Sequence, residues 1–158
     1  MPQRIPEPEF DSLYREIILD HYRNPRHHKP LPDADVVAEG YNPLCGDEVE
    51  LRLAFDNGKI ADLSVTGRGC SISQASGSML TDAVRGRPID EAERLIDEFT
   101  AMVKDPNVEP ADELGDLEAL QGVAKFPVRV KCATLAWHTL GDGLKQRKAG
   151  GQVARHVE

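Results

Sequence analysis

Apolar residues recur along this chain with two different periods, and the places where the period changes divide it into elements. Val49, Leu51, Leu53 and Phe55 alternate with Glu48, Glu50, Arg52 and Ala54, the period-two pattern of a half-buried strand. Asp56-Asn57-Gly58-Lys59 follows, and its Asn-Gly pair suits the type I′ turn of a hairpin. Ala61, Leu63 and Val65 then line one face of a returning strand, and Val36 to Tyr41 forms an extended segment upstream. Elsewhere the period is helical. Residues 10 to 24 place Leu13, Ile17, Ile18 and His21 near one face, and Asn24-Pro25 stops that helix because a proline restricts the residue before it. Ser71 and Gln74 match a capping box, opening a helix with Ile72, Ala75, Met79 and Ala83 inward and Gly86 and Pro88 at its end. Asp90 and Glu93 start another, in which Ala92, Leu95, Ile96, Phe99, Met102 and Val103 keep helical spacing. A proline-containing loop over 104 to 111 leads to a short acidic helix marked by Leu114, Leu117 and Leu120. Pro127 opens the last helix, with Val128, Cys132, Leu135 and Thr139 on one face. From Gly141 onward, through Gly150-Gly151, a frayed tail is expected.

These elements predict an α+β fold in which a small antiparallel sheet packs against several helices. At 158 residues the chain reads as one domain, able to bury a core without disulfides. Its ordered part is expected over about 10 to 145, with 146 to 158 a flexible tail. No run of eighteen apolar residues suggests a membrane span, and Met1 to Phe10 lacks the apolar centre of a secretory signal. Three cysteines are an odd number for a disulfide framework, so the thiols are expected to stay reduced in a cytoplasmic protein.

A net charge of −8 excludes a general nucleic-acid binder, which needs a basic face. The charge is uneven: residues 88 to 120 hold eleven acids and two bases, whereas 121 to 158 hold two acids and seven bases. Solvated helix faces explain such runs; a docking surface for a charged partner is the sharper alternative. His27 and His28 are adjacent in a loop, and side chains at i and i+1 rarely converge on one ion.

The candidate chemistry lies in the cysteines. Cys45 and Asp47 flank Gly46, which lets the backbone turn tightly. A hairpin that begins just after Asp47 and ends just before Cys70 brings these residues to one edge of the sheet. Cys70 precedes a helix N-terminus, whose partial positive charge favours a thiolate. Cys132, on the inward face of the last helix, completes the set if that helix packs on the sheet. Three thiolates and a carboxylate make the four ligands of a tetrahedral zinc site. Soft sulfur disfavours magnesium and calcium, leaving zinc or an iron–sulfur cluster. Read singly, each cysteine also fits a small buried core residue, and no Cys-x-x-Cys pair marks an ordinary zinc finger. His138 stands six residues past Cys132 on a different helical face and is not expected to be a ligand; Trp137 reads as a core or interface aromatic.

Four segments carry a resemblance. Leu19-Asp20-His21-Tyr22-Arg23-Asn24-Pro25-Arg26, Tyr41-Asn42-Pro43-Leu44-Cys45-Gly46-Asp47, Gly67-Arg68-Gly69-Cys70-Ser71-Ile72-Ser73 and Arg129-Val130-Lys131-Cys132-Ala133-Thr134-Leu135 resemble the IscU/NifU-like family, and more narrowly its SufU branch. The resemblance spans about residues 10 to 145 and implies a small three-stranded antiparallel sheet backed by helices. It also implies a part in iron–sulfur cluster biogenesis, beside a pyridoxal-phosphate-dependent cysteine desulfurase of the Suf type and downstream Suf assembly proteins. Scaffold members of the family carry a histidine just before the third cysteine; here Lys131 stands there and cannot ligate while protonated. SufU-type members have a longer segment between the second and third cysteines, and 61 residues intervene here. The proline-rich chaperone-recognition stretch of scaffolds is replaced by Phe126-Pro127-Val128-Arg129-Val130-Lys131.

These departures imply a zinc-dependent sulfurtransferase, with Zn²⁺ held by Cys45, Asp47, Cys70 and Cys132. Cys45 would accept persulfide sulfur, leaving the metal to do so because its loop adjoins a glycine. The metal would keep the thiol deprotonated near neutral pH, where a free cysteine with pKa about 8.5 is mostly protonated. Such a site carries net negative charge, which Arg129, Lys131 or Arg68 can offset or use to dock the persulfide. The alternatives are an assembly scaffold holding a transient iron–sulfur cluster and a domain in which zinc is purely structural.

Overall fold

The turn at Asn57-Gly58 has φ of 52° and 76°, the left-handed pair a type I′ hairpin requires. In the computed structural model, which describes residues 12–158, it joins β2 (Asp47–Asp56) to β3 (Lys59–Arg68). The upstream segment is a third antiparallel strand, β1 (Val36–Asn42), paired with β2 from Val36↔Leu53 to Asn42↔Asp47. Val49, Leu51 and Leu53 point into the core, as their alternation predicts.

The α+β architecture is as expected, but the sheet has four strands rather than three. Beyond the last helix, β4 (Val153–Val157) pairs parallel with β1, giving the order β3-β2-β1-β4. The stretch expected to be a flexible tail over 146 to 158 therefore completes a helix and supplies a sheet edge. Its sequence hides this because only Ala154 of the strand is fully buried, while Val153 and Val157 are exposed. Backbone pairing holds it, including Val37 N–H to Gln152 O (2.9 Å) and Glu158 N–H to Tyr41 O (3.0 Å). Periodicity reports buried side chains and is silent about such pairing.

The helices are α1 (Ser12–Arg23), α2 (Ser71–Val84), α3 (Ile89–Lys104) and α4 (Pro127–Lys148), with 3₁₀ turns over Asp112–Lys125 broken at Gly115. Residues 10 and 11, at which the predicted first helix starts, lie outside the described residues, as do the side chain of Leu13 and the stretch Met1 to Phe10. Ile18 and His21 of α1 are buried, and burial lowers the pKa of His21, whose Nδ1 is 2.8 Å from Ser78 Oγ. The acidic segment forms α3 and the 3₁₀ turns, with Arg94 bridging to Glu113 at 3.2 Å. The central helix is α4, which packs on β1 and β2 and against α2 and α3. Trp137 in its middle is fully buried and stacks on Phe99 with centroids 4.5 Å apart. Among the described residues no helix is long and apolar enough to cross a membrane.

Glu158 anchors the end of β4. Burial pushes its carboxyl up, but hydrogen bonds from His138 and Thr134 outweigh this and bring it down to about 2 from the ordinary 4.5. A carboxyl depressed on folding contributes stability above its unfolded pKa and loses it as pH falls through the folded one. The stabilisation, on the order of 3 kcal/mol, should thus be complete above about pH 5 and vanish towards pH 2. Urea unfolding with chelator present should show this slope in the native protein and lose most of it in Glu158→Gln.

Candidate metal centre

Cys45 sits in the four-residue connection between β1 and β2, so it lies at the tip of a hairpin rather than in a loop ahead of one. Asn42 shapes that tip, its side-chain oxygen accepting from Leu44 N–H (3.1 Å) and its carbonyl from Gly46 N–H (2.8 Å). Gly46 has φ 73°, a left-handed value a glycine takes without strain. Asp47 opens β2 and is 1% exposed.

The pairing Glu48↔Arg68 brings the end of β3 beside the start of β2. Gly69 and Cys70 therefore arrive next to Asp47, and Cys70 N–H donates to Asp47 Oδ1 at 3.1 Å. Cys70 itself caps α2, its sulfur accepting from Ser73 N–H at 3.4 Å. The cap is thus one residue earlier than the Ser71 box predicts. Gln74 reaches back instead: in the amide orientation that satisfies its neighbours, its oxygen accepts from Arg68 and Gly69 N–H and its nitrogen donates to Gly67 O, each at 3.3 Å. Gln74 thus supports the approach of β3 rather than the predicted capping box, while the supporting roles of Ser73 and Asn42 are missed by sequence reasoning, since short polar side chains bonded to nearby backbone leave no periodic trace.

Cys132, in the second turn of α4, is 1% exposed, and its Sγ lies 3.6 Å from that of Cys45. One donor atom each of Cys45, Asp47 and Cys132 fall within 4.8 Å of one another. The sulfur of Cys70 joins them, 4.0 Å from Asp47 Oδ2. All four predicted residues are thus neighbours. Of the three cations considered, Arg129 alone is buried, with Nη1 3.9 Å from Cys132 Sγ. Arg68 is turned out to Glu48 and Lys131 is exposed. His27 and His28 bind elsewhere, to Asp82 and to the carbonyl of Pro25.

The crowding redistributes protons. A hydrogen bond from Cys132 brings the Cys70 thiol down to about 7 against the effect of burial, with help from Ser73 N–H. The same bond, together with burial, pushes the Cys132 thiol up. Negative charge is thus favoured on Cys70 rather than Cys132, beside the buried Asp47 side chain, an arrangement that a divalent cation would stabilise. Three sulfurs and one carboxylate oxygen fit zinc by number and by softness.

Gly69 is tightly determined. It has φ 157°, and a Cβ there would collide with Asp47 Oδ1. Gly69→Ala is expected to displace the carboxylate and weaken zinc binding about 10- to 100-fold in a chelator competition. Gly141→Ala, where the added carbon meets nothing nearer than Ile96 Cδ1 at 3.8 Å, should leave that affinity unchanged.

A family model described as the NifU-like N terminal domain matches residues 13–146. The chain is similar to the zinc-dependent sulfurtransferase SufU of Bacillus subtilis (strain 168), 44% identical over 141 residues that cover 89% of this chain and 95% of that one. It is equally similar to the iron–sulfur cluster assembly scaffold protein IscU of Streptococcus pyogenes serotype M1, 44% identical over 144 residues covering 91% and 89%. Among solved structures, a candidate iron–sulfur cluster assembly scaffold for the SUF system from Fervidobacterium islandicum AW-1 superposes with a TM-score of 0.76 at 35% identity, covering 82% of this chain and 94% of that one.

Proposed function

The chain belongs to the NifU-like N-terminal domain family, and from that premise we propose that it is a zinc-dependent sulfurtransferase serving iron–sulfur cluster assembly. The observation that carries this reading is the unequal footing of its three thiols. Cys70 is held as the cap of α2 and Cys132 is buried in α4, whereas Cys45 is half-buried on a glycine-hinged hairpin tip. One sulfur is thus free to travel while two are fixed. The SufU relative is named for this activity, and Lys131, exposed beside Cys132, departs from the histidine that marks scaffold members.

Cys45, Asp47, Cys70 and Cys132 are the residues that would hold zinc, which when bound supplies the positive charge that keeps thiols deprotonated near neutral pH. The Cys45 thiolate attacks the terminal sulfur of a persulfide on a partner cysteine desulfurase. A sulfur–sulfur bond forms to Cys45 as the partner's own breaks, and the partner cysteine departs as a thiolate. Electrons balance without an external oxidant, because the transferred sulfur keeps its oxidation state. Arg129, buried beside Cys132, stabilises the negative charge gathered there. The partner is a pyridoxal-phosphate enzyme of the Suf type, downstream Suf proteins receive the sulfur, and the cytoplasm is where this takes place.

The scaffold reading is favoured by one observation, the equal identity to the streptococcal IscU. Purification in air followed by metal analysis separates the two: the sulfurtransferase should contain about one zinc per chain and accelerate alanine release from cysteine by the desulfurase. Stoichiometric iron and sulfide with a visible chromophore, and no acceleration, would replace this proposal with the scaffold.

A further inference from the structure

On the face of α4 away from Cys45, His138, His156 and Glu158 each offer a ligand atom, all within 4.8 Å of one another. His138, which its position six residues past Cys132 argues against as a ligand, lies against the end of β4. The three residues come from two elements, His138 from α4 and the other two from β4 and its end. Glu158 Oε1 lies 2.8 Å from His138 Nδ1, and Oε2 lies 2.7 Å from His156 Nε2. The rings meet edge to face, their centroids 5.6 Å apart.

The partners behind these groups decide what the cluster wants. His156 Nδ1 faces Asp142 Oδ2 at 2.9 Å, and a carboxylate only accepts, so Nδ1 carries a proton. Thr100 has one hydroxyl proton and gives it to Ile96 O at 2.7 Å. Its oxygen faces His138 Nε2, 3.4 Å away. Each ring thus has an outer nitrogen with a partner of its own and an inner nitrogen, His138 Nδ1 or His156 Nε2, turned to the Glu158 carboxylate. Thr134 occupies that carboxylate from the other side, its hydroxyl donating to Oε1 at 2.8 Å. Two ring nitrogens and a carboxylate that is 9% exposed therefore face one another. Such a set favours positive charge brought between its members, whether ring protons or a metal ion.

We propose that His138 Nδ1, His156 Nε2 and the Glu158 carboxylate form a second metal site, separate from the cysteine cluster, for a divalent transition cation such as zinc. Two imidazoles and a carboxylate are a known zinc donor set, with a fourth position left open. Asp142 behind His156 and Thr100 behind His138 are the outer partners that orient ligating histidines. A cleft lined by His138, His156, Thr100, Asp142, Lys145 and Glu93 adjoins the cluster and would give an ion a way in. Occupancy would clamp β4 to α4 by charge as well as by backbone pairing.

Cobalt(II) reads this site apart from the thiols. Full-length protein carrying one equivalent of zinc should take up a further equivalent of cobalt. The cobalt should give weak visible bands with no sulfur charge-transfer absorption and broaden the ring proton signals of His138 and His156 in NMR spectra. Asp142→Asn, which leaves all three ligands in place, should weaken that uptake about 10- to 100-fold, and His138→Gln, which leaves β4 intact, should abolish it. Failure of the loaded wild-type protein to bind cobalt with ring broadening overturns the proposal, as does undiminished uptake by His138→Gln. The broadening does not depend on what the cysteines bind, so the proposed sulfur transfer can fail while this site stands.

Discussion

Cys45→Ala is expected to return a partner desulfurase to the rate it shows alone, a complete loss of acceleration, while the protein stays folded. The reason is positional. Cys45 lies on a surface hairpin tip and contributes little to the core, whereas Asp47, Cys70 and Cys132 remain to hold a metal from β2, α2 and α4. Nucleophilic transfer needs a thiolate that can reach a partner's sulfur. Cys132 is 1% exposed with its sulfur 3.8 Å from Val128 O, and Cys70 is engaged by Ser73 N–H, so neither can substitute. Alanine release from cysteine, measured with wild-type and Cys45→Ala protein, checks this. Equal acceleration by the two would end the acceptor role, and loss of the folded circular dichroism signal in the variant would instead assign Cys45 to a structural zinc.

Trp137→Ala should cost about 3–5 kcal/mol of stability, the range for removing a large buried aromatic. Trp137 has no exposed surface, stacks on Phe99 and donates from Nε1 to Ser76 Oγ at 3.2 Å. Ser76 in turn donates to Ala133 O at 2.6 Å, so the indole also supports the contact that holds α4 to α2 next to Cys132. The substitution leaves a cavity between α3 and α4 and loosens the helix that carries one thiol. A fall in the urea midpoint accompanied by weaker zinc retention is the expected pair of results. Trp137→Phe keeps most of the packing and should lose roughly 1 kcal/mol through the Ser76 bond.

Much of this arrangement is legible in the residues themselves. The alternation from Glu48 to Phe55 and the Asn57-Gly58 turn specify a hairpin, and that hairpin is sufficient to deliver Asp47 and Cys70 to one edge. Helical spacing around Cys132 turns its thiol inward, so neighbourhood of the four residues follows once α4 packs on the sheet. Local signals suffice for these because each element buries a side-chain pattern of its own. The cap of α2 is misread by one position for the opposite reason. A thiol can take the place of a hydroxyl when the chain holds it there, and what holds Cys70 is Asp47, 23 residues away.

What the sequence determined by itself is the β2–β3 hairpin, the helices and the nearness of Cys45, Asp47, Cys70 and Cys132, because periodic burial and turn chemistry act over a few residues. Tertiary structure alone decided the fourth strand, the burial of Arg129 rather than Lys131 or Arg68, and the meeting of His138 with His156 and Glu158. Each of these depends on backbone pairing at a sheet edge or on polar groups brought together from separate elements. Neither leaves a period in the chain, and both become visible only when β1 offers β4 an edge and α4 lies across them.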